Sequence, residues 1–184
     1  MSRAFIAESD AQFQDEELPE IKVPLPPGVA NYMTPAGAER LNGELAALTG
    51  GERPRAAAAV TRLSASGAAT DRDQLSTERR RLREIDRRIE YLSRMLARIE
   101  VIDPAAQRGE RVLFGATVTV RADGVERVYR IVGVDEADPP AGRIGWIAPL
   151  AKALLGRRAG ETAVLKLPDG VQRLQIMKVE FRQS

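Results

Sequence analysis

The chain has 184 residues, with 28 Lys and Arg against 26 Asp and Glu and neither His nor Cys, so imidazole, thiolate, disulfide and zinc-thiolate chemistry are excluded. Any catalysis would have to run on carboxylates, amines or hydroxyls. Aromatic residues are 4% of the chain, with one Trp, which argues against single-strand nucleic-acid readers that stack bases, and the +2 net charge argues against a strong polyanion binder.

No run approaches eighteen apolar residues, and the first twenty lack the basic-then-apolar order of a secretory leader. The expectation is a soluble, cytoplasmic protein with no membrane partner. Charge is unevenly spread: residues 1–30 carry −4, residues 31–103 carry +2 and residues 104–184 carry +4. The acidic lead ends in Pro24-Leu25-Pro26-Pro27-Gly28, where the prolines favour extended, non-helical backbone. Residues 1–30 therefore read as a mostly disordered arm. It is either a solubilising tail or an acidic segment that folds back on a basic face or binds a partner.

Thr34-Pro35 marks a helix start, with Thr34 as the cap and Pro35 in the first helical position, where its missing N–H costs nothing. Leu41, Leu45, Leu48, Ala56, Ala59 and Leu63 fall near a three-four apolar seam, interrupted by Gly50-Gly51 and Pro54, so a kink or break is expected near 50–54. Small residues over 64–70 suit a reversal. The seam resumes at Leu75, Leu82, Ile85, Ile89, Leu92, Leu96 and Ile99 with heptad spacing. The pattern predicts an antiparallel coiled-coil hairpin over 31–103 with its tip at 66–73, each arm about 30 residues and on the order of 45 Å long. Arg79, Arg80, Arg81, Arg83, Arg87 and Arg88 crowd the outside of the second helix. They read as a solvated face, with a nucleic-acid site as the sharper alternative.

Pro104 ends the helix at Val101-Ile102-Asp103, and the period then changes. Residues 116–120 and 128–132 flank an Asp123-Gly124 turn, Pro149–Leu155 reads as a short helix before Gly156, and residues 163–167 and 172–181 flank Pro168-Asp169-Gly170. Residues 104–184 are expected to form an antiparallel sheet with one short helix, so the chain is α+β overall.

The segments Arg81–Ile89, Val101-Ile102-Asp103, Phe114–Val118, Tyr129–Asp138 and Pro149–Gly156 resemble, in order, the GreA/GreB transcript-cleavage factors, GreB more closely. That resemblance implies a coiled coil that enters the secondary channel of bacterial RNA polymerase and an FKBP-like domain that docks on the channel's outer rim, with the nascent RNA 3′ end within reach. It implies a monomer with no cofactor of its own: a tip Asp and Glu help hold the Mg²⁺ of the polymerase active site, where a hard cation needs carboxylate oxygens. When Gly67 takes the place of the family's tip glycine, its Asp falls on Ala68, its Glu on Asp71 and the following Asn on Arg72. Ala68 cannot ligate a metal, and Asp71 is shorter by a methylene. Asp73 is a possible substitute partner for Asp71, but residues two apart on a helix face different ways.

The docking segment departs too. Where the family places a polar residue and a Ser before the contacting proline, this chain has Trp146-Ile147-Ala148-Pro149. Trp146 and Ile147 are either core residues or part of an apolar polymerase-binding patch. The expected function is a polymerase-binding elongation regulator that is not itself an enzyme and has weak or no cleavage stimulation. The alternatives are an active cleavage factor using Asp71 with or without Asp73, a stand-alone peptidyl-prolyl isomerase, and a nucleic-acid binder working through the arginines.

Overall fold

A computed structural model of the chain describes residues 24–181 except 27, 67–70 and 169. The acidic lead up to residue 23, and Gly67 and Ala68 of the tip, lie outside the described residues. The fold is α+β: a helical hairpin followed by a curled five-stranded sheet.

The first arm starts where the sequence says it should. Thr34 is extended (φ −74°, ψ 159°) and its hydroxyl accepts from the Gly37 N–H at 3.1 Å, satisfying one of the donors that a helix start leaves unpaired. Near 50–54, where a kink or break is expected, helix α1 (Pro35–Ala47) does not break. It passes through a π-helical segment, Leu48–Glu52, directly into α2 (Arg53–Ser66). Arg53 donates its backbone N–H to Leu48 O, five residues back. A π turn inserts one residue without breaking the helix, and the seam shows why one is needed here. Buried Leu48 and buried Ala56 are eight apart, one more than a heptad, and the inserted residue returns Ala56 and Leu63 to the face that holds Leu41.

Deleting Gly51 should therefore leave the hairpin in phase as a plain α-helix, with a melting temperature within a few degrees of the parent. Deleting Ala58 rotates everything beyond it by about 100° and should cost several kcal/mol through the exposed seam. Thermal unfolding followed by circular dichroism distinguishes the two.

The return arm, α3 (Arg72–Leu96), is shorter than its partner and ends before Ile99, which the sequence pattern had placed in the helix. Ile99–Val101 instead form a three-residue strand, β2, paired in parallel with β1 (Asn31–Met33). These strands close the base of the hairpin: Asn31 is fully buried, donates its backbone N–H to Arg98 O at 2.7 Å, and donates its side-chain amide to Met95 O at 3.2 Å. Leu41, Leu48, Ala56, Ile85 and Leu92 form the buried seam, with Met33 beneath them.

The last residues of the proline-rich stretch also belong to this base. Leu25 is buried, and the Arg98 guanidinium donates to Pro26 O at 2.7 Å and to Val29 O, so the expected extended linker is tied down from Pro24 onward.

The sheet has strand order β5-β4-β3-β7-β6. Strands β3 (Ala116–Ala122) and β4 (Val125–Val132) meet at Asp123-Gly124, both at positive φ (51° and 79°), the two-residue turn whose twist matches the strands. Short β5 (Arg143–Gly145) lies parallel to β4, and β6 (Thr162–Leu167) pairs antiparallel with β7 (Gly170–Phe181). Helix α4 (Pro149–Leu154) buries Ala151 and Leu154 against Val118, Ile131, Ala163 and Ile176. The hairpin and the sheet thus each have their own apolar core.

Candidate functional site

Three places in the fold carry the residues singled out from the sequence: the tip, the outer face of α3, and the segment before α4.

At the tip, α2 ends on Ser66 and α3 begins after Asp71. Asp71 sits in the cap position of α3 but makes no side-chain bond to the helix's N–H groups. Its carboxylate instead accepts from the Ser66 hydroxyl, so it ties the two ends of the reversal together. Asp73 is exposed in the first turn, where a negative charge complements the helix dipole, and its carbonyl accepts from the Thr77 hydroxyl at 2.9 Å. Among the described residues no three acidic groups could share a metal ion.

The arginines do not form a single face. Arg79, Arg80, Arg81 and Arg83 are exposed, with Arg80 paired to Glu84 at 3.0 Å. Arg88, expected on the outside, turns in toward the first arm. It grips Glu44 with two hydrogen bonds of 2.6 and 2.9 Å and lies 5.2 Å from the Tyr91 ring centre, while Arg87 is half-buried. The bond from Arg88 holds the Glu44 carboxyl below its ordinary range, and the carboxylate in turn pushes the Arg88 guanidinium up. A planar guanidinium matches a carboxylate in this bidentate way, so Arg88 is a clamp between the arms.

Before α4, Trp146 is half-buried and meets the Tyr32 ring edge-on, with centres 5.2 Å apart; Tyr32 in turn lies 6.1 Å from Phe114. This cluster joins the base of the hairpin to the sheet. The Trp146 indole is thus committed within the molecule. Ile147 and Ala148 are half-buried, and Pro149 stands exposed in the first position of α4.

Sequence reasoning missed the groups that fasten the two units. The turn Val134–Glu136, between β4 and β5, presents two carboxylates to the hairpin. Glu136 Oε2 accepts from Thr34 N–H at 3.0 Å and Gly133 N–H at 2.9 Å, and Oε1 accepts from the Thr34 hydroxyl. Asp135 accepts the Tyr91 hydroxyl at 2.6 Å, and its carbonyl accepts from Arg40 at 2.6 Å. Gly37 is part of the fit, because a Cβ there would lie 2.3 Å from Glu136 Cδ. The one available signal was compositional: three carboxylates in Asp135-Glu136-Ala137-Asp138, on a loop between strands. A cleft of about 720 Å³ opens beside this junction, lined by Thr34, Arg40, Arg130, Asp138 and Arg143 among others, with charges of both signs.

Burial and the bond to Asp135 push the Tyr91 hydroxyl well above its ordinary value. Its proton is retained in the fold at a pH where the unfolded chain would release it. The stability this bond gives is therefore complete below about pH 10 and falls as pH rises further. Tyr91→Phe should cost about 1 kcal/mol at pH 8, and the gap between variant and parent should close by pH 11, as read from denaturant unfolding at the two values.

Two family models cover almost all of the described chain: "Transcription elongation factor, N-terminal" matches residues 31–101, and "Transcription elongation factor, GreA/GreB, C-term" matches residues 107–181. Transcription elongation factor GreB of Neisseria meningitidis serogroup A is 40% identical over 153 residues, covering 82% of this chain and 94% of that protein. Transcription elongation factor GreA of Anaeromyxobacter sp. (strain K) is 36% identical over 81% of this chain and 91% of its own. Among solved structures, GreA factor homolog 1 of Thermus thermophilus is 24% identical, with 83% of this chain and 99% of that one covered and a TM-score of 0.40. Matches to both domain models and 40% identity along the hairpin and sheet establish that the chain belongs to the GreA/GreB family of transcription elongation factors.

Proposed function

We propose that this chain binds bacterial RNA polymerase in the cytoplasm as a monomer, docks through its C-terminal domain with Pro149 at the contact, inserts the hairpin tip into the secondary channel, and stimulates transcript cleavage weakly or not at all. Family membership supports the partner. The first arm, 32 helical residues without a break, spans about 48 Å and supports the reach.

One observation carries the weak-cleavage part: Asp71 is held by Ser66 at the neck of the tip, and Asp73 follows two positions on, a spacing that does not put side chains on one face of a helix. The resemblance calls for two carboxylates converging on the polymerase's Mg²⁺, and this chain's tip does not fit that requirement, since position 68 is Ala. A hard cation gains nothing from a methyl group. The protein then acts by occupying the channel, which excludes other factors or alters pausing, and the chemistry stays with the polymerase.

The test uses a reconstituted polymerase halted in a backtracked state. Binding with little release of short 3′ RNA fragments is the expected result. Robust release would overturn the weak-cleavage reading, and failure to bind would overturn the assignment of the partner.

A further inference from the structure

The N-terminal family model begins at residue 31, so the acidic lead lies outside the stretch that the two family models match. Its net charge of −4 is concentrated: Asp15, Glu16, Glu17 and Glu20 lie within six positions. The structure fixes where this lead leaves the fold. Leu25 is buried, and Arg98, just past the end of α3, holds the carbonyls of Pro26 and Val29. The lead therefore starts from the base of the hairpin, alongside the arm that carries the arginines.

On that arm, Arg79, Arg80, Arg81 and Arg83 place four cations in five positions, all exposed. Arg80 is paired with Glu84, and Arg79, Arg81 and Arg83 have no carboxylate partner among the described residues. Arg79 and Arg83 are one turn apart and so lie one above the other. Like charges crowded this way repel, and an anionic segment laid across them would relieve that repulsion.

The distances agree. From the end of α3 at Leu96, Arg83 and Arg79 lie about 20 and 26 Å along the helix at 1.5 Å per residue. Counted from Pro26, the stretch Glu20 to Asp15 has a contour of about 20 to 37 Å. The acidic cluster spans the arginine cluster with no slack to spare at one end and about 11 Å at the other.

We propose that the acidic segment Asp15–Glu20 docks in cis on the Arg79–Arg83 surface of α3 and covers it until a more strongly anionic surface displaces it. The contact is electrostatic and exposed, each pair contributing little alone, so it is salt-sensitive and readily displaced. It makes the basic arm self-screened in the free protein.

The chain has no Cys, so Gln14→Cys in the full-length protein gives a unique attachment site for a nitroxide next to the acidic cluster. In ¹⁵N-labelled protein, amide signals of residues 79–83 should be broadened at low salt. The broadening should vanish at 1 M NaCl, where the Debye length is about 3 Å, and with Asp15→Asn, Glu16→Gln, Glu17→Gln and Glu20→Gln combined. Arg79→Glu with Arg83→Glu should also release it. Signals on α3 that stay sharp, broadening centred on the sheet or on α2, or broadening that survives both salt and neutralisation would each overturn the proposal. So would broadening seen only when the nitroxide and the ¹⁵N label are on different molecules.

Discussion

Restoring the family's tip residues, Ala68→Asp with Asp71→Glu and Arg72→Asn, is expected to raise release of 3′ RNA fragments from backtracked polymerase by about 100-fold or more. The size follows from geometry: misplacing a reacting group by about 1 Å costs on the order of 10²-fold in rate, and under the proposed reading of the tip one ligand is absent and the other a methylene short. Ala68→Asp alone should give a smaller gain, because Asp71 remains engaged with Ser66. Adding Ser66→Ala to that single variant removes this tie across the reversal and should recover part of the difference. No gain in the triple variant, with polymerase binding intact, would mean that the missing carboxylate is not what limits cleavage. A parent protein that already cleaves well would place the chemistry in a rearranged tip.

The parts of the fold visible in the sequence are those set by neighbours in the chain. Thr34-Pro35 starts α1 through a bond to a residue three positions on, Asp123-Gly124 turns β3 into β4, and Pro149 and Gly156 bracket α4. Each needs only local backbone preference. The parallel pairing of β1 with β2 could not be read this way, since it joins Asn31 to Ile99 through three-residue strands, and Ile99 fits a heptad as well as it fits a strand.

The π segment was half visible. Gly50-Gly51 with Pro54 predict a kink or break near 50–54; the eight-residue spacing between buried Leu48 and Ala56 is explained by the structure, where packing against α3 makes an inserted residue the better solution. At the candidate site, the reading of the tip rests on residue types alone, Ala at position 68 and Asp at position 71. The inward turn of Arg88 and the role of Glu136 were not legible, because both depend on partners more than 40 residues away. The sequence allows Trp146 either a core or an interface role, and its contact with Tyr32 depends on the same long-range closure.

Glu136→Ala is expected to destabilise the protein by about 3 kcal/mol. Thr34 is 2% exposed, so removing its acceptor strands a backbone N–H and disrupts a hydroxyl's bond network away from water, at about 1–3 kcal/mol for each unsatisfied group. At this chain length the loss should lower the melting temperature by about 6–12 °C. Glu136→Gln should cost far less. Its carbonyl, placed at Oε2, can take both N–H groups, and its amide can donate to the Thr34 hydroxyl, so what is lost is the charge and the acceptor of the Thr34 O–H. Gly37→Ala attacks the same contact from the other side, since the new Cβ would occupy the Glu136 carboxyl, and should approach Glu136→Ala in effect. Because the hairpin and sheet have separate cores, calorimetry on the Glu136→Ala variant should show the single transition splitting into two. An unchanged single transition would mean that the aromatic contact of Tyr32 with Trp146 and the Tyr91–Asp135 bond suffice to couple the units. The junction is also the fulcrum of a lever: a rotation of about 5° there moves the end of a 48 Å arm by about 4 Å. For a factor that docks by one end and works at the other, Glu136→Ala should therefore weaken tip-dependent effects on polymerase more than docking itself, while Glu136→Gln keeps both.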